Sequence, residues 1–166
     1  ITALKKMGAK INLKNKRFLS GEIVADIDVE SSNLVGCELN PEMAKLMIDE
    51  YPILSIAAAF AKGPSLFKGL AELKVKESDR LELIRLNLTK CGCKCEVINN
   101  DLLIKPSKNY LPIDNKIRTD FDHRIAMSFV IMGSKVGNLL IDDIESINTS
   151  FPNFIEIFNN SGGSFL

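Results

Sequence analysis

Two segments of the sequence are apolar on every side of any helix that they could form. Residues 53–60 read Ile-Leu-Ser-Ile-Ala-Ala-Ala-Phe, and residues 125–132 read Ile-Ala-Met-Ser-Phe-Val-Ile-Met. A helix without a polar face has nothing to present to water, so both segments must be buried on all sides. Each is far shorter than the roughly 20 residues that a helix needs to cross a bilayer. The sequence therefore predicts two buried helices and no membrane span.

The segment 22–30 shows the opposite pattern. Its apolar residues alternate with mostly acidic ones, which is typical of a strand with one face toward water. Buried helices, together with strands that expose one face to solvent, predict an α/β fold of an inside-out kind, with the helices at the centre and the sheets on the outside. Amphipathic helices predicted over residues 76–90 and 153–161 fill the remaining space.

Glycines mark a repeat along the chain. Gly8, Gly92 and Gly162 each follow a mixed polar and apolar helix, and they are 84 and 70 positions apart. Glycine suits the left-handed residue just beyond a helix end. The pattern predicts one domain built from about two duplicated units, residues 9–92 and 93–163. Residues 106–116, which contain two prolines, are predicted to form a surface loop.

The overall charge excludes several kinds of partner. Lysine plus arginine and aspartate plus glutamate both number 21, so no general field favours nucleic acid or an acidic membrane surface. Three of the four cysteines are separated by single residues, which does not suit a zinc site. We expect buried, reduced thiols in a cytoplasmic protein, with no metal.

Three polar clusters stand where predicted helices begin, at residues 49–52, 74–80 and 120–124. The start of a helix carries unpaired N–H groups and a partial positive charge. Three such ends that converge would form a pocket for anions such as phosphates and carboxylates.

Each candidate residue also has an ordinary structural explanation. Asp49 could cap the helix that follows it. Ser78 or Asp79 could cap the next one, with the rest of residues 74–80 a solvated run of charges. His123 could be a core histidine, and Arg124 a surface arginine. The residues alone predict an anion site with carboxylates and a histidine within reach, and they specify no reaction.

Four stretches, in this order, carry a family resemblance. Residues 47–61 include Asp-Glu-Tyr-Pro, residues 70–81 include Lys-Glu-Ser-Asp-Arg, residues 122–129 begin Asp-His-Arg, and residues 149–154 include Phe-Pro. They resemble the C-terminal half of the 5-enolpyruvylshikimate-3-phosphate synthase family of enolpyruvyl transferases, particularly its glyphosate-tolerant bacterial branch. The resemblance covers essentially the whole chain.

The resemblance implies transfer of the enolpyruvyl group of phosphoenolpyruvate to the 5-hydroxyl of shikimate 3-phosphate, without a cofactor or metal. It also implies an inside-out α/β domain of repeated βαβαββ units. The matching positions imply the following roles: Asp49 as base and shikimate contact, Glu77 as the group that exchanges the methylene proton, Arg80 and Arg124 as phosphoenolpyruvate ligands, Lys76 as a substrate-anion contact, and His123 as a secondary contact or proton donor.

Two departures from the family bear on these expectations. Many members carry a lysine where this chain has Thr149-Ser150, which removes one phosphoenolpyruvate contact. The family's chains are also more than twice as long, so we expect the N-terminal domain, with its share of the substrate-binding residues, to be absent.

Three readings of such a chain follow. It is expected to be inactive alone and to associate with the N-terminal domain or with another copy. The alternatives are a non-enzymatic domain with residual anion binding and a fragment of a UDP-N-acetylglucosamine enolpyruvyl transferase.

Overall fold

The computed structural model describes residues 1–107 and 116–165. Most of the loop predicted over residues 106–116 lies outside the described residues. The α-helices of the described part are α1 (Thr2–Lys6), α2 (Pro41–Met47), α3 (Tyr51–Ala59), α4 (Arg80–Lys90), α5 (His123–Val136) and α6 (Phe154–Asn160). The strands are β1 (Lys10–Leu19), β2 (Glu22–Glu30), β3 (Glu38–Leu39), β4 (Ser65–Phe67), β5 (Lys94–Ile98), β6 (Asp101–Lys105), β7 (Lys116–Ile117) and β8 (Leu140–Ile141).

The strands form three separate sheets. β1 and β2 make an antiparallel hairpin, and β7 and β8 make a short parallel pair. The central sheet has the order β3-β4-β6-β5, in which the β3-β4 pair is parallel and the other two pairs are antiparallel. The β5-β6 hairpin follows α4 in the same way that the β1-β2 hairpin follows α1.

The two helices expected to be buried form the centre of the molecule, but the expected burial on every side is wrong, because Ile53 and Ile131 are 39% and 36% exposed. α3 packs against α4, α5 and β6, and seven of its nine residues are buried. Tyr51, at its start, is fully buried and meets Phe67 of β4 edge to face, with 5.4 Å between ring centroids. Alternate residues of β5 and β6 point into this core while their neighbours face outward. The inside-out α/β arrangement is confirmed. None of the described helices is both long and apolar enough to cross a membrane.

The β1-β2 hairpin differs from the prediction in one respect. Its residues alternate as expected, and one face carries a ladder of ion pairs, Lys10–Glu30, Lys14–Asp28 and Arg17–Asp26. The apolar face, however, is open: Ile23 and Val29 are each 68% exposed, and Phe18 is 75% exposed. On the same face Ile11 is 7% exposed, so the hairpin is packed against the domain there and is open to water on both sides over most of its length.

The marker glycines have the backbone that the repeat argument requires. Gly8, Gly92 and Gly162 lie just beyond α1, α4 and α6, with φ of 87°, 89° and 95°. L-residues with a side chain avoid this region, and glycine occupies it without penalty.

One helix boundary is corrected. α4 begins at Arg80 and not at Lys76, because the Asp79 carboxylate caps it by accepting a hydrogen bond from the Glu82 N–H.

The cysteines lie where the sequence placed them. Cys91 ends α4, while Cys93 and Cys95 lie at the start of β5, and all three are free and buried in the core. Burial raises the pKa of both Cys91 and Cys95 to about 12. Because the thiolate is the reactive form, these thiols are chemically quiet.

Gly36 and Gly133 provide a matched test of the packing. A Cβ added at Gly36 would lie 2.0 Å from the Pro64 carbonyl oxygen, whereas one at Gly133 in α5 would meet Leu139 at an ordinary 3.8 Å. We expect Gly36→Ala to lower the free energy of unfolding by about 2 kcal/mol or more, because backbone must move. Gly133→Ala should raise it by about 0.5–1 kcal/mol through helix propensity. Urea unfolding of both variants measures this, and equal stabilities would contradict the close approach at Gly36.

Candidate active site

The start of α4 lies beside the starts of α3 and α5, and one side chain joins them. Arg80, the first residue of α4, is fully buried. Its guanidinium is held by three carboxylates, one from each of the polar clusters picked out in the sequence. The Nε–H donates to Asp122 Oδ2 (2.7 Å), Nη1 to Asp49 Oδ1 (2.9 Å) and Nη2 to Glu77 Oε2 (2.6 Å). The predicted convergence of the helix starts is observed, and Arg80 is its centre.

The three carboxylates differ in exposure. The Asp122 side chain is 0% exposed, whereas the Asp49 and Glu77 side chains are 42% and 50% exposed. The Asp122 pair is therefore sealed from water, and the other two pairs lie at the surface. Coulomb attraction is strongest where water is excluded, so the pair with Asp122 is the strongest of the three.

Every oxygen of Asp122 is occupied. Oδ2 also accepts a hydrogen bond from the Ser78 hydroxyl (2.9 Å), and Oδ1 accepts from the Arg124 N–H (2.9 Å) and the Ile125 N–H (3.3 Å). Burial by itself raises the pKa of Asp122. The hydrogen bonds from Arg80 and Ser78 and the Arg80 charge outweigh burial, so the pKa lies below the usual value of an aspartate. Asp122 therefore stays ionised and caps α5.

Asp49 does not cap α3, which corrects the structural explanation of that residue. It lies in a 3-10 turn, Ile48–Glu50, that precedes α3, and the cap position is occupied by Glu50 without a side-chain hydrogen bond. The Asp49 carboxylate faces Arg80 and also the ammonium of Lys76 at 3.4 Å. Lys76 in turn contacts Glu72 at 2.6 Å, and that hydrogen bond raises the pKa of Lys76.

Arg124 lies on the other side of Asp49. Its Nη1 donates to the Asp49 carbonyl (2.9 Å) and to Glu50 Oε1 (3.2 Å), and its side chain is 35% exposed. Its guanidinium is thus anchored and still open to solvent. His123, the first residue of α5, is half-buried, and among the described residues its ring has no hydrogen-bond partner.

A cavity of about 240 Å³ adjoins this group. Asp49, Glu50 and Arg124 form its polar part, and Phe151 and Phe154 of the Phe-Pro motif form part of its apolar wall. Thr149, which stands where many relatives are expected to carry lysine, donates its hydroxyl to the Ser146 carbonyl at 2.7 Å. The motif therefore contributes apolar surface to the cavity.

The charges of the group do not balance. Within the described residues, three cations face five carboxylates, which leaves a net charge of two negative; these groups are Lys76, Arg80 and Arg124, against Asp49, Glu50, Glu72, Glu77 and Asp122. The exposed carboxylates and the anchored arginines can exchange partners with an incoming anion, but a strong anion site needs additional positive charge. No cluster of three or more metal-ligating side chains occurs in the described part of the chain.

Sequence reasoning brought together Asp49, Lys76, Glu77, Arg80, His123 and Arg124, and within the described residues the structure joins all of them except His123 through the pairs above. It missed Asp122 as a partner of Arg80, and it missed Glu50 as a partner of Arg124. The available signal for Asp122 was its position directly before a helix in a motif rich in charge, which indicated a cap but not a buried ion pair.

The Asp122 pair predicts a large effect on stability. In Asp122→Asn the amide still caps α5, but Arg80 loses the one carboxylate that shares its burial. Removing one partner of a buried ion pair costs about 3–5 kcal/mol. We expect a loss of that size in the free energy of unfolding from urea titration. Asp120→Asn, which breaks the exposed pair with Arg118, should leave the urea midpoint nearly unchanged.

The same effect should depend on pH in a defined direction. Because the pKa of folded Asp122 is below that of the unfolded chain, its contribution is complete above the ordinary aspartate pKa and disappears as the pH falls through the lowered value. The stability difference between wild type and Asp122→Asn should therefore shrink in acid. A difference that stays constant from neutral pH into strong acid would contradict the ion pair.

Comparisons with known proteins identify relatives of this chain. The profile of the EPSP synthase family (3-phosphoshikimate 1-carboxyvinyltransferase) matches residues 1–158. The chain is 46% identical over 160 residues to the 3-phosphoshikimate 1-carboxyvinyltransferase of Paramagnetospirillum magneticum, and 43% identical over 162 residues to that of Gluconobacter oxydans. These alignments include 96% and 97% of this chain but 36% of each relative.

Solved structures give the same result. The EPSP synthase of Acinetobacter baumannii superposes with a TM-score of 0.88 at 37% identity, over 96% of this chain and 37% of the other. The enolpyruvyl transferase NikO of Streptomyces tendae superposes with a TM-score of 0.63 at 15% identity, which is a likeness of fold alone. The chain spans little more than a third of the length of its relatives, and it belongs to the EPSP synthase family.

Proposed function

We propose that this chain is a partial C-terminal domain of a 3-phosphoshikimate 1-carboxyvinyltransferase and contributes one side of its active site. The reaction moves the enolpyruvyl group of phosphoenolpyruvate onto the 5-hydroxyl of shikimate 3-phosphate and releases phosphate. The proposal rests on the family of the chain and on one feature of the site. The reaction belongs to the shikimate pathway of aromatic amino-acid biosynthesis, and we place it in the cytoplasm.

The proposal rests on two carboxylates, one proposed as a base and the other as an acid, that bind the same guanidinium. Asp49 and Glu77 bind different nitrogens of Arg80, at 2.9 Å and 2.6 Å, and both are half-exposed. An addition followed by an elimination needs a proton acceptor and a proton donor at adjacent atoms. Two carboxylates fixed a few ångströms apart beside cations meet that need.

The roles follow from the order of bond changes. Asp49 takes the proton of the 5-hydroxyl as its oxygen bonds to C2 of phosphoenolpyruvate, and Glu77 delivers a proton to the C3 methylene. In the second step Glu77 removes a proton from C3, the double bond forms, and the C2–O bond to phosphate breaks. Arg80 and Arg124 hold phosphoenolpyruvate, Lys76 contacts substrate anions, and His123 is a secondary contact.

The charge balance supports a partner. Both substrates are anions, and the group of charged residues on this chain is net negative, so the missing positive charge must come from elsewhere. We assign it to the N-terminal domain of the same enzyme. In this proposal the N-terminal domain also covers a groove of about 880 Å³ between α1, α3 and α5. Apolar side chains line most of this groove, and of the charged group only Glu50 borders it.

The open hairpin face and this groove also favour self-association of the fragment when the N-terminal domain is absent. Exposed apolar patches of this kind mark contact surfaces.

Reconstitution tests the proposal. We expect the chain alone to release no phosphate from phosphoenolpyruvate and shikimate 3-phosphate, and to do so when the N-terminal portion of a close relative is added in trans. Turnover by the chain alone would contradict the divided site. The absence of turnover in both mixtures would favour a non-enzymatic domain, and turnover only with UDP-N-acetylglucosamine as acceptor would identify the related transferase.

Glu77 has a matched control in Glu82. Each pairs with an arginine three positions later, and each side chain is 50% exposed. In the reconstituted enzyme, Glu77→Gln should lower kcat by about a hundredfold to ten-thousandfold, because the amide cannot exchange a proton. Glu82→Gln should leave kcat unchanged. Equal rates for the two variants would remove Glu77 from the mechanism.

A further inference from the structure

Asp122 stands apart from the residues given roles above, because it is sealed under the site. Its carboxylate is as deeply buried as Arg80, while Asp49 and Glu77 reach solvent. The Arg80 side chain is itself 1% exposed, so a substrate anion can reach it only from the side of Asp49 and Glu77. It can therefore replace Asp49 or Glu77 at the guanidinium, and it cannot replace Asp122.

The contact geometry sets the direction in which Arg80 points. Asp122 binds one edge of the guanidinium, through Nε at 2.7 Å and Nη2 at 3.4 Å. This turns Nη1 and the remaining side of Nη2 toward Asp49 and Glu77, the two carboxylates that reach solvent. Two-point contact of a carboxylate with a guanidinium fixes the plane of the group as well as its position.

The same carboxylate sets a second arginine. Asp122 Oδ1 accepts the backbone N–H of Arg124, so it fixes the first turn of α5 from which the Arg124 side chain extends to the Asp49 carbonyl. One buried group thus links the orientations of the two arginines proposed to hold phosphoenolpyruvate.

We propose that Asp122 is a positioning residue for phosphoenolpyruvate: it keeps hold of Arg80 throughout, while the substrate anion takes the place of Asp49 or Glu77 at Nη1 or Nη2. This inference rests on the proposed function. It predicts a selective effect, because the Asp122 carboxylate accepts hydrogen bonds from both arginines but, within the described residues, makes none with Asp49, the proposed shikimate contact. Loss of Asp122 should impair phosphoenolpyruvate and leave shikimate 3-phosphate largely unaffected.

The first measurement is kinetic, in the reconstituted enzyme. Asp122→Asn should raise KM for phosphoenolpyruvate by about tenfold to a hundredfold, as expected when a binding group is misplaced. KM for shikimate 3-phosphate should remain within about twofold. Partial unfolding of the variant cannot imitate this result, because a smaller folded fraction lowers the apparent kcat and leaves both KM values unchanged. Asp79→Asn, an exposed cap of α4, is the control and should change neither KM.

Ser78→Ala keeps the measurement interpretable if Asp122→Asn does not fold. It removes one hydrogen bond to Asp122 Oδ2 and leaves both charges in place. The KM for phosphoenolpyruvate should rise by about two- to tenfold, in proportion to one hydrogen bond, and again selectively. Equal increases in both KM values, or no increase in either variant, would overturn the proposal.

A second measurement does not depend on turnover. In the reconstituted enzyme, with this chain labelled with ¹⁵N-arginine, the Nε–H of buried Arg80 should exchange with water far more slowly than that of Arg118, whose side chain is 60% exposed. Ser78→Ala should speed the exchange of Arg80. Added phosphoenolpyruvate should shift its Nη signals while the Nε–H stays protected.

These two measurements separate the possible failures. If the reconstituted enzyme has no activity and the signals do not respond to phosphoenolpyruvate, the proposed function is wrong. If the enzyme is active but the Nε–H of Arg80 loses its protection on binding, the substrate displaces Asp122 and the positioning role is wrong.

Discussion

The buried guanidinium of Arg80 is the constraint on which the site depends. A cation without access to water is tolerated only when carboxylates surround it, and here three come from three different segments of the chain. Satisfying Arg80 therefore requires that the starts of α3, α4 and α5 meet. The core packing of α3 against α4 and α5 supplies the same convergence by burying apolar surface. Charge and packing thus select one arrangement of the helices, and the polar residues cannot separate without exposing the core.

The inside-out architecture explains why the site can be charged while the centre of the molecule is not. α3 buries Leu54, Ile56 and Ala58 along its length, and its polar neighbours are confined to the turn before it. The same division holds for α5, in which the ionic contacts occur at the first turn and the buried apolar residues follow. Each central helix therefore ends in a charged tip at one side of the molecule. The functional groups occupy the starts of these helices, where the carboxylates of Asp49 and Glu77 have access to water.

The sequence predicted the main parts of this structure for identifiable reasons. Segments apolar on all sides, around Ile56 and Phe129, can only be buried, and the polar clusters before them mark the helix starts. Two kinds of information could not be read from the residues. The partner of a buried charge depends on tertiary packing, so Asp122 was assigned no role beyond its place in a charged motif, and Asp49 had a plausible explanation as a cap. The second kind is coverage: alternation in residues 22–30 shows which face is apolar, but it cannot show whether anything lies on that face. The start of α4 was placed four residues early, because a run of charged residues fits a first helical turn as well as it fits the segment before one.

The β1-β2 hairpin has a property that burial does not provide. A strand pair usually owes its register to the apolar face that it packs on a core, since a slip of one residue would turn that face to water. Here the apolar face is open, and the register is defined by cross-strand ion pairs on the opposite face and by a one-residue irregularity between Lys14 and Arg17. Both are local, with strand partners only a few residues to about 20 positions apart, so the hairpin closes at low entropic cost before any distant contact forms. The register of the hairpin is therefore set by its own residues, independently of what packs against its apolar face.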